Sequence, residues 1–235
     1  MQLSSIKWIN NQPYSIDFND IYFNSEDGLE ETEYVFVEHN QLKQRFAALE
    51  NSTFTIIETG FGTGLNFLAV AAHWLVLAPP NAILHYISIE KYPLKLEDLR
   101  RALAAWPQFA KISDEFLQHY ANLKAGNNQI SMAGRRIDID LQVGDVLDNL
   151  PQIQNKADTW FLDGLAPAKN AAMWSSEVFA HMARLSKSNT TFATFTSASD
   201  VRRGLENAGF KVEKHAGFGK KREMLNGVFL GKSND

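Results

Sequence analysis

Four acidic residues stand where short apolar runs end: Glu58 after "FTII", Glu90 after "YISI", Asp145 in "QVGDV" and Asp163 in "WFLDG". The first of them opens "ETGFGTGLNFL", residues 58–68, in which Gly60, Gly62 and Gly64 alternate with Phe61 and Thr63. Glycine adopts positive φ without strain and lets a ligand reach the main chain without meeting a Cβ, so a strand, a glycine loop and a helix in succession make a cradle for a nucleotide-like ligand. Taken alone, the loop fits a tight turn before a core helix equally well. A triphosphate loop would need Gly-Lys-Ser/Thr, and Gly64 is followed by Leu65 and Asn66. A dinucleotide fingerprint would need a third glycine where Leu65 stands.

The pattern that remains, acidic-x-G-x-G-x-G, suits a ligand without a phosphate. A carboxylate at Glu58 repels pyrophosphate but attracts an ammonium group, directly or through water. S-adenosylmethionine fits that description, with Gly60, Gly62, Gly64 and Asn66 as its expected contacts beside Glu58. The next strand end places Glu90 where a carboxylate accepts both ribose hydroxyls of an adenosine. Asp145 is then positioned for the exocyclic amine of adenine, with Val146 packing on the ring. Asp163 lies at the carboxyl edge near the crossover between sheet halves, where open α/β sheets bind ligands. Any one such acid is more often a solvated loop carboxylate; their recurrence at four corresponding strand ends, the first within a glycine loop, points to a site.

The elements that must hold these residues are legible as apolar runs alternating with amphipathic stretches from Phe54 onward, the signature of a parallel sheet covered by helices. Seven strands are expected, at "FTIIE", "LHYISIE", "IDLQVGD", "ADTWFLDG", "TTFATFTS", "FKVEKH" and "NGVFLGK". The last two are joined by a loop too short for a parallel crossover, which predicts a closing antiparallel hairpin. Helices are expected from Leu65, over "LKLEDLRRALAAW", over "AAMWSSEVFAHMARL", and over "SASDVRRGLENAG" with Ser199 as N-cap and Gly209 as C-cap. Residues 129–143 read as a hairpin leading into the third strand. In residues 1–53, "SIDFNDIYFN" and "EETEYVFVEHN" read as an N-terminal hairpin and helix extending a core of residues 54–235.

Composition narrows the function. The 235 residues, 45% hydrophobic, suffice for one large domain. The absence of cysteine excludes disulfides, thiolate metal sites and a cysteine nucleophile. No metal-ligand spacing links His73, His85 and His181, so they read as structural and no metal is expected. The longest apolar stretch, "FLAVAAHWLVLA", is too short to span a bilayer, and no N-terminal signal pattern is seen, so a cytoplasmic protein without a membrane role is expected. A net charge of −4 confines any nucleic-acid contact to a local basic patch.

Four segments, "FGTGLNFL", "FLDGLAPAKNAAMW", "ATFTSASDVRRGLENAGF" and "GFGKKREM", resemble the methyltransferase module of the MnmC family, as does the N-terminal "FNDIYFNSEDGLEETEYVFVEHNQL". The resemblance covers nearly the whole chain and implies an α/β fold of the class I S-adenosylmethionine-dependent methyltransferase type: Rossmann-like, seven-stranded, with an N-terminal extension. It also implies methylation of the primary amine of 5-aminomethyl-2-thiouridine, or its oxygen analogue, at the tRNA wobble position. Many members carry an FAD-dependent oxidoreductase domain after this module, and no FAD fingerprint follows "NGVFLGKSND" here. Such a domain, or a separate protein supplying the aminomethyl substrate, is the implied partner beside tRNA.

Within that chemistry Asp163 is the expected catalytic residue, as an acceptor orienting the amine or as the proton acceptor; the alternative is a loop cap. Lys169, Lys220, Lys221 and Arg222 are expected to contact phosphate around the anticodon stem-loop. Arg202 and Arg203, in a helix, read as a solvated face, and Arg135 and Arg136 lie at a hairpin tip. Tyr22, Phe23 and Trp174 serve either to stack on a flipped base or to fill the core. Two other functions compete. An aminopropyltransferase of the spermidine-synthase type calls for a further acid near Asp163, where "DGLAPAKN" gives a lysine. A catalytically inert RNA-binding module is opposed by the four intact strand-end acids.

Overall fold

The computed structural model describes residues 1–23, 27–50 and 52–231. Asn24–Glu26 of the N-terminal segment, Asn51 and the chain end from Lys232, where the last expected strand run finishes, lie outside the described residues. In chain order the elements are β1 (Ile6–Ile9), β2 (Gln12–Ser15), β3 (Asp20–Ile21), α1 (Gly28–Thr32), a π-helical turn (Glu33–Glu38), α2 (Leu42–Ala47), β4 (Thr53–Thr59), α3 (Leu65–Leu77), β5 (Ile83–Glu90), α4 (Leu96–Leu103), α5 (Ala110–Tyr120), β6 (Gly126–Met132) and β7 (Ile137–Val143). There follow α6 (Val146–Asn149), β8 (Ala157–Leu162), α7 (Ser176–Leu185), β9 (Ser186–Thr194), α8 (Ser199–Asn207), β10 (Phe210–Ala216) and β11 (Glu223–Phe229).

The main sheet has the order β10-β11-β9-β8-β4-β5-β7-β6. Strands β9, β8, β4, β5 and β7 run parallel, and β11 is inserted antiparallel between β9 and β10. The seven expected strands are all present, and the closing hairpin has its expected antiparallel pairing. The sheet gains an eighth strand, because the first arm of the hairpin expected over residues 129–143 begins at Gly126 and pairs along all of β7.

Side-chain alternation sorts the strands onto two cores. Phe54, Ile56, Leu84, Tyr86, Ile139, Leu141 and Phe161 face a core shared with α2 to α5 and the π-helical turn, whereas Ile57, Ile87, Ile89, Trp160 and Leu162 face α7 and α8. Glu58, two residues beyond Ile56, is therefore turned inward toward α3. The N-terminal residues join the first core directly: Phe36 packs on Phe161 at 5.0 Å between ring centroids, and Phe46 sits edge-on to Phe54 and Trp74. The N-terminal hairpin is β1–β2, earlier than "SIDFNDIYFN", whose Asp20 and Ile21 add the short third strand.

Two helix expectations need correction. The helix α5 is additional to those expected. At α8, Ser199 is the first helical residue, and Ala198 takes the N-cap position without a side-chain bond. Gly209, at φ +98°, does end that helix, donating its N–H to Glu206 O.

Candidate active site

All four strand-end loops converge at the carboxyl edge of the sheet because main-chain bonds continue past the strands. Gly60 N donates to Ile89 O, Gly144 N to Glu90 O and Asp163 N to Thr59 O, at 2.9 to 3.1 Å. Between these loops and the N-terminal segment lies a cavity of about 710 Å³, in the size range of small-molecule sites, about 300–1,000 Å³. Its wall includes Gly60, Gly62, Asn66, Glu90, Asp145, Val146, Asp163, Lys220 and Lys221.

Each glycine acts differently. Gly60 has φ +92°, and a Cβ on it would lie 2.5 Å from the Asp163 carbonyl, so the two loops close on each other only with glycine there. A Cβ on Gly62 would meet the Tyr22 ring. Gly64, also left-handed, is covered by the Phe61 ring and does not line the cavity; its role is conformational rather than the expected ligand contact.

Glu90 holds the first loop in place. Its Oε2 accepts from Gly62 N at 2.9 Å and its Oε1 from Tyr92 N at 2.8 Å. Burial raises its pKa, against the opposing pull of these backbone donors. Each oxygen keeps lone-pair capacity for a further donor from the cavity. Asp145 caps α6 through Leu147 N and takes Lys91 Nζ at 2.7 Å, a contact that lowers its pKa.

A buried polar chain runs from β5 to Asp163. Ser88, the register partner of Glu58, donates to its Oε2 at 2.6 Å. Asn66 Nδ2 donates both to Glu58 Oε1 at 3.0 Å and to Asp163 Oδ2 at 2.7 Å, while its Oδ1 accepts from Thr32 at 2.9 Å. Asn66 is thereby fixed in one orientation, as a two-proton clamp between two carboxyl groups. Burial pushes Glu58 up to about 8 and Asp163 up to about 6; the Asn66 hydrogen bond and the Lys221 charge oppose the shift at Asp163, and the Glu31 charge adds to it. Glu58, expected to attract a ligand ammonium directly or through water, is fully buried and absent from the cavity wall, so it makes no direct approach to the cavity. Alternation sends it inward, where it supports Asn66.

The expected basic residues separate. Lys220 and Lys221 line the cavity mouth, and Arg222 is exposed outside it. Lys169 is also outside the cavity and is engaged by Asn19 O at 2.7 Å and Asp20 at 3.2 Å, tying its loop to the N-terminal segment. Arg202 and Arg203 pair locally with Glu206 and Asp200, and Arg136 holds the carbonyls of Leu75, Ala78 and Pro79. Tyr22 and Phe23 line the cavity, whereas Trp174 is buried and bonded to Leu165 O. His73 and His85 meet Glu33 and Asp140.

Sequence reading did not single out Glu31, Thr32 or Phe195, which also line the site. Phe195 follows β9 at the same sheet edge as the acids, so the strand-end reasoning could have found it; nothing local marks Glu31 or Thr32, which arrive from a distant segment.

Residues 107–229 match a family of S-adenosyl-L-methionine-dependent methyltransferases. The chain belongs to that methyltransferase family. It is also 50% identical over 226 residues to the tRNA 5-methylaminomethyl-2-thiouridine biosynthesis bifunctional protein MnmC of Methylobacillus flagellatus, covering 96% of this chain and 35% of the relative. The MnmC protein of Chromobacterium violaceum is 49% identical over 95% of the chain and 34% of its own length. The methyltransferase thus spans about a third of the length of these relatives. The crystal structure of MnmC2 from Aquifex aeolicus shares the fold, with a TM-score of 0.77 at 19% identity, covering 99% of this chain and 72% of that one.

S-adenosyl-L-methionine is the methyltransferase's cofactor, and the site fits it. The backbone at Gly60 and Gly62 is bare where side chains would fill the space, Glu90 offers carboxylate oxygens suited to hydroxyl donors, and buried Val146 offers an apolar platform next to Asp145.

Proposed function

We propose that this chain methylates the primary amine of 5-aminomethyl-2-thiouridine, or its oxygen analogue, at the wobble position of tRNA, giving the 5-methylaminomethyl product. The observation that carries this reading is the identity of about one half, over nearly the full chain, to proteins named for the biosynthesis of that nucleoside. In this reading residues 1–53 are an extension walling the pocket of a core spanning residues 54–235. A flavin-dependent oxidoreductase, as a further domain or a separate protein, supplies the aminomethyl group, and the chain works with tRNA in the cytoplasm.

The cofactor supplies a methyl carbon carried on a sulfonium. The chain binds it through the backbone of Gly60 and Gly62, the Glu90 carboxylate at the ribose and Asp145 with Val146 at the adenine. Asp163 then faces the acceptor amine. Its Oδ2 is held by Asn66, so the carboxylate is fixed as an acceptor that orients the amine and takes one of its protons. Removal of that proton from the ammonium form would leave the nitrogen lone pair free toward the methyl carbon that the bound cofactor would supply. With a pKa near 6, Asp163 is ionised at neutral pH and matched to this work. Lys220, Lys221 and Arg222 stand at the entrance for RNA phosphates.

The deciding experiment is incubation with labelled S-adenosylmethionine and tRNA lacking the terminal methylation, followed by nucleoside mass spectrometry. Labelled 5-methylaminomethyl nucleoside is expected. Label on a different nucleoside, or none on tRNA, would overturn the reading.

A further inference from the structure

The cavity already contains an aliphatic ammonium, contributed by the chain. Lys221 Nζ pairs with Glu31 Oε1 at 2.5 Å and lies 4.5 Å from the centroid of the Phe195 ring. All three residues line the cavity together with Asp163, and Asp163 senses both the Glu31 and the Lys221 charges. A carboxylate on one side and an aromatic face on another is how proteins recognise a cationic amine.

The walls of this arrangement are built rather than incidental. Glu31 sits on α1, and the next residue, Thr32, is buried and bonded to the same Asn66 that holds Asp163. The distance from Glu31 to Asp163 is therefore set through Thr32 and Asn66. Phe195 packs edge-on against Trp174, whose indole N–H is fixed on Leu165 O, in the loop that follows Asp163. Lys221, by contrast, comes from the loop between β10 and β11, has a long flexible stem and is 46% exposed. Fixed acceptors with a movable cation are what a site needs if that cation must leave.

We propose that Glu31, Phe195 and Asp163 form the subsite for the substrate's primary ammonium, and that Lys221 occupies it in the substrate-free chain. This rests on the methyl acceptor being an aminomethyl group, as proposed above. A lysine side-chain terminus and a protonated aminomethyl group are chemically alike: three N–H donors on one CH2. The incoming ammonium replaces Lys221 between Glu31 and Phe195, and the released lysine turns outward to the RNA phosphate. Glu31 and Phe195 bind the charged form. Loss of one proton to Asp163 or water then gives the nucleophile, and its methylation would give a secondary ammonium, which loses a further proton to solvent on becoming the secondary amine.

The test compares wild type, Glu31→Gln and Phe195→Leu for binding, with S-adenosylhomocysteine present, to two tRNAs that differ only at the wobble position: one carrying the aminomethyl group, one an unmodified uridine. Wild type should favour the aminomethyl tRNA. Glu31→Gln should lose about tenfold of that preference, and Phe195→Leu about three- to fivefold. Affinity for unmodified tRNA should not fall, and S-adenosylhomocysteine affinity, measured alongside, should stay within about twofold. These last two readouts separate loss of a subsite from loss of folding. If wild type methylates the aminomethyl tRNA but both variants keep its binding preference, the subsite is wrong while the function stands. If wild type neither prefers nor methylates that tRNA, the function itself fails and the subsite with it.

Discussion

Asp163 and Glu58 share Asn66, yet their environments give them different charges at neutral pH. With its pKa pushed up to about 6, Asp163 becomes an anion as pH rises through that value. The single-turnover methyl-transfer rate at saturating tRNA should therefore climb across pH 5 to 7, and Asp163→Asn should be slow and lose that limb; a wild-type limb retained by the variant would assign the titration elsewhere. Asp163→Ala should likewise lower the rate with cofactor affinity largely kept, because in the proposed mechanism the carboxylate acts on the nucleophile. Glu58, at about 8, stays protonated in the folded chain while its unfolded counterpart ionises near 4.5. The unfolded state then binds fewer protons between those values, so this group makes stability fall as pH rises from about 4.5 to 8 and level off above. Glu58→Gln, which can still accept from Asn66, should flatten that part of the melting-temperature profile measured from pH 5 to 8. Glu90→Ala should weaken cofactor binding by about 1–3 kcal/mol by calorimetry. The acids were legible as strand ends, but whether a strand-end carboxylate faces ligand or core depends on one register position and on what packs above it. For Glu58 that was α3 and Asn66, which only the fold brings together.

Elements were more legible than side-chain directions, for a physical reason. A parallel strand buried on both faces reads as an apolar run, and "FTII" of β4, "YISI" of β5 and "WFL" of β8 are such runs. The helix α5 was not legible because its buried stripe, Ser113, Phe116, Leu117 and Tyr120, begins on a serine and is embedded in Lys, Asp, Glu, Gln and His. Nor does sequence forecast the π-helical turn, which carries Phe36 to the sheet and depends on that tertiary contact. The glycine loop and its helix act as one element, and Gly60 is where it is tightest. Gly60→Ala puts a Cβ onto the Asp163 carbonyl at a left-handed φ, costing about 1–2 kcal/mol in backbone strain alone. It should lower the urea midpoint and remove cofactor binding together. Gly204→Ala offers the contrast. Its Cβ would lie 2.4 Å from Phe179 between α8 and α7, away from the cavity, so it should destabilise by about 1–3 kcal/mol while leaving cofactor affinity intact below the transition.

At the scale of the whole molecule, the proposed function asks a chain of net charge −4 to bring a polyanion to a cavity whose wall holds Asp20, Asp27, Glu31, Glu90, Asp145 and Asp163. Attraction has to come from the rim, and the fold divides the rim's cations into engaged and available groups. Lys169 is tied to Asn19 and Asp20, and Lys91 to Asp145. Lys220 and Arg222, on the loop joining the two strands at the sheet's antiparallel end, make no side-chain bond or ion pair among the described residues. The four lysines and arginines expected to hold phosphate should therefore not act alike. Replacing Lys220 and Arg222 together with alanine should raise the tRNA concentration needed for half-maximal methylation. It should also reduce the slope of log affinity against log salt by about one unit for each phosphate no longer neutralised, because fewer counterions are released on binding. The rate at saturating tRNA should be little changed. Lys169→Ala should leave that slope nearly untouched and instead loosen the N-terminal wall, which would show as weaker cofactor binding, since Tyr22 and Phe23 of that wall line the cavity. Binding titrations across a salt series resolve the two: an unchanged slope in the double variant would make the loop a solvated hairpin tip, and a reduced slope in Lys169→Ala would return that lysine to the RNA-binding surface.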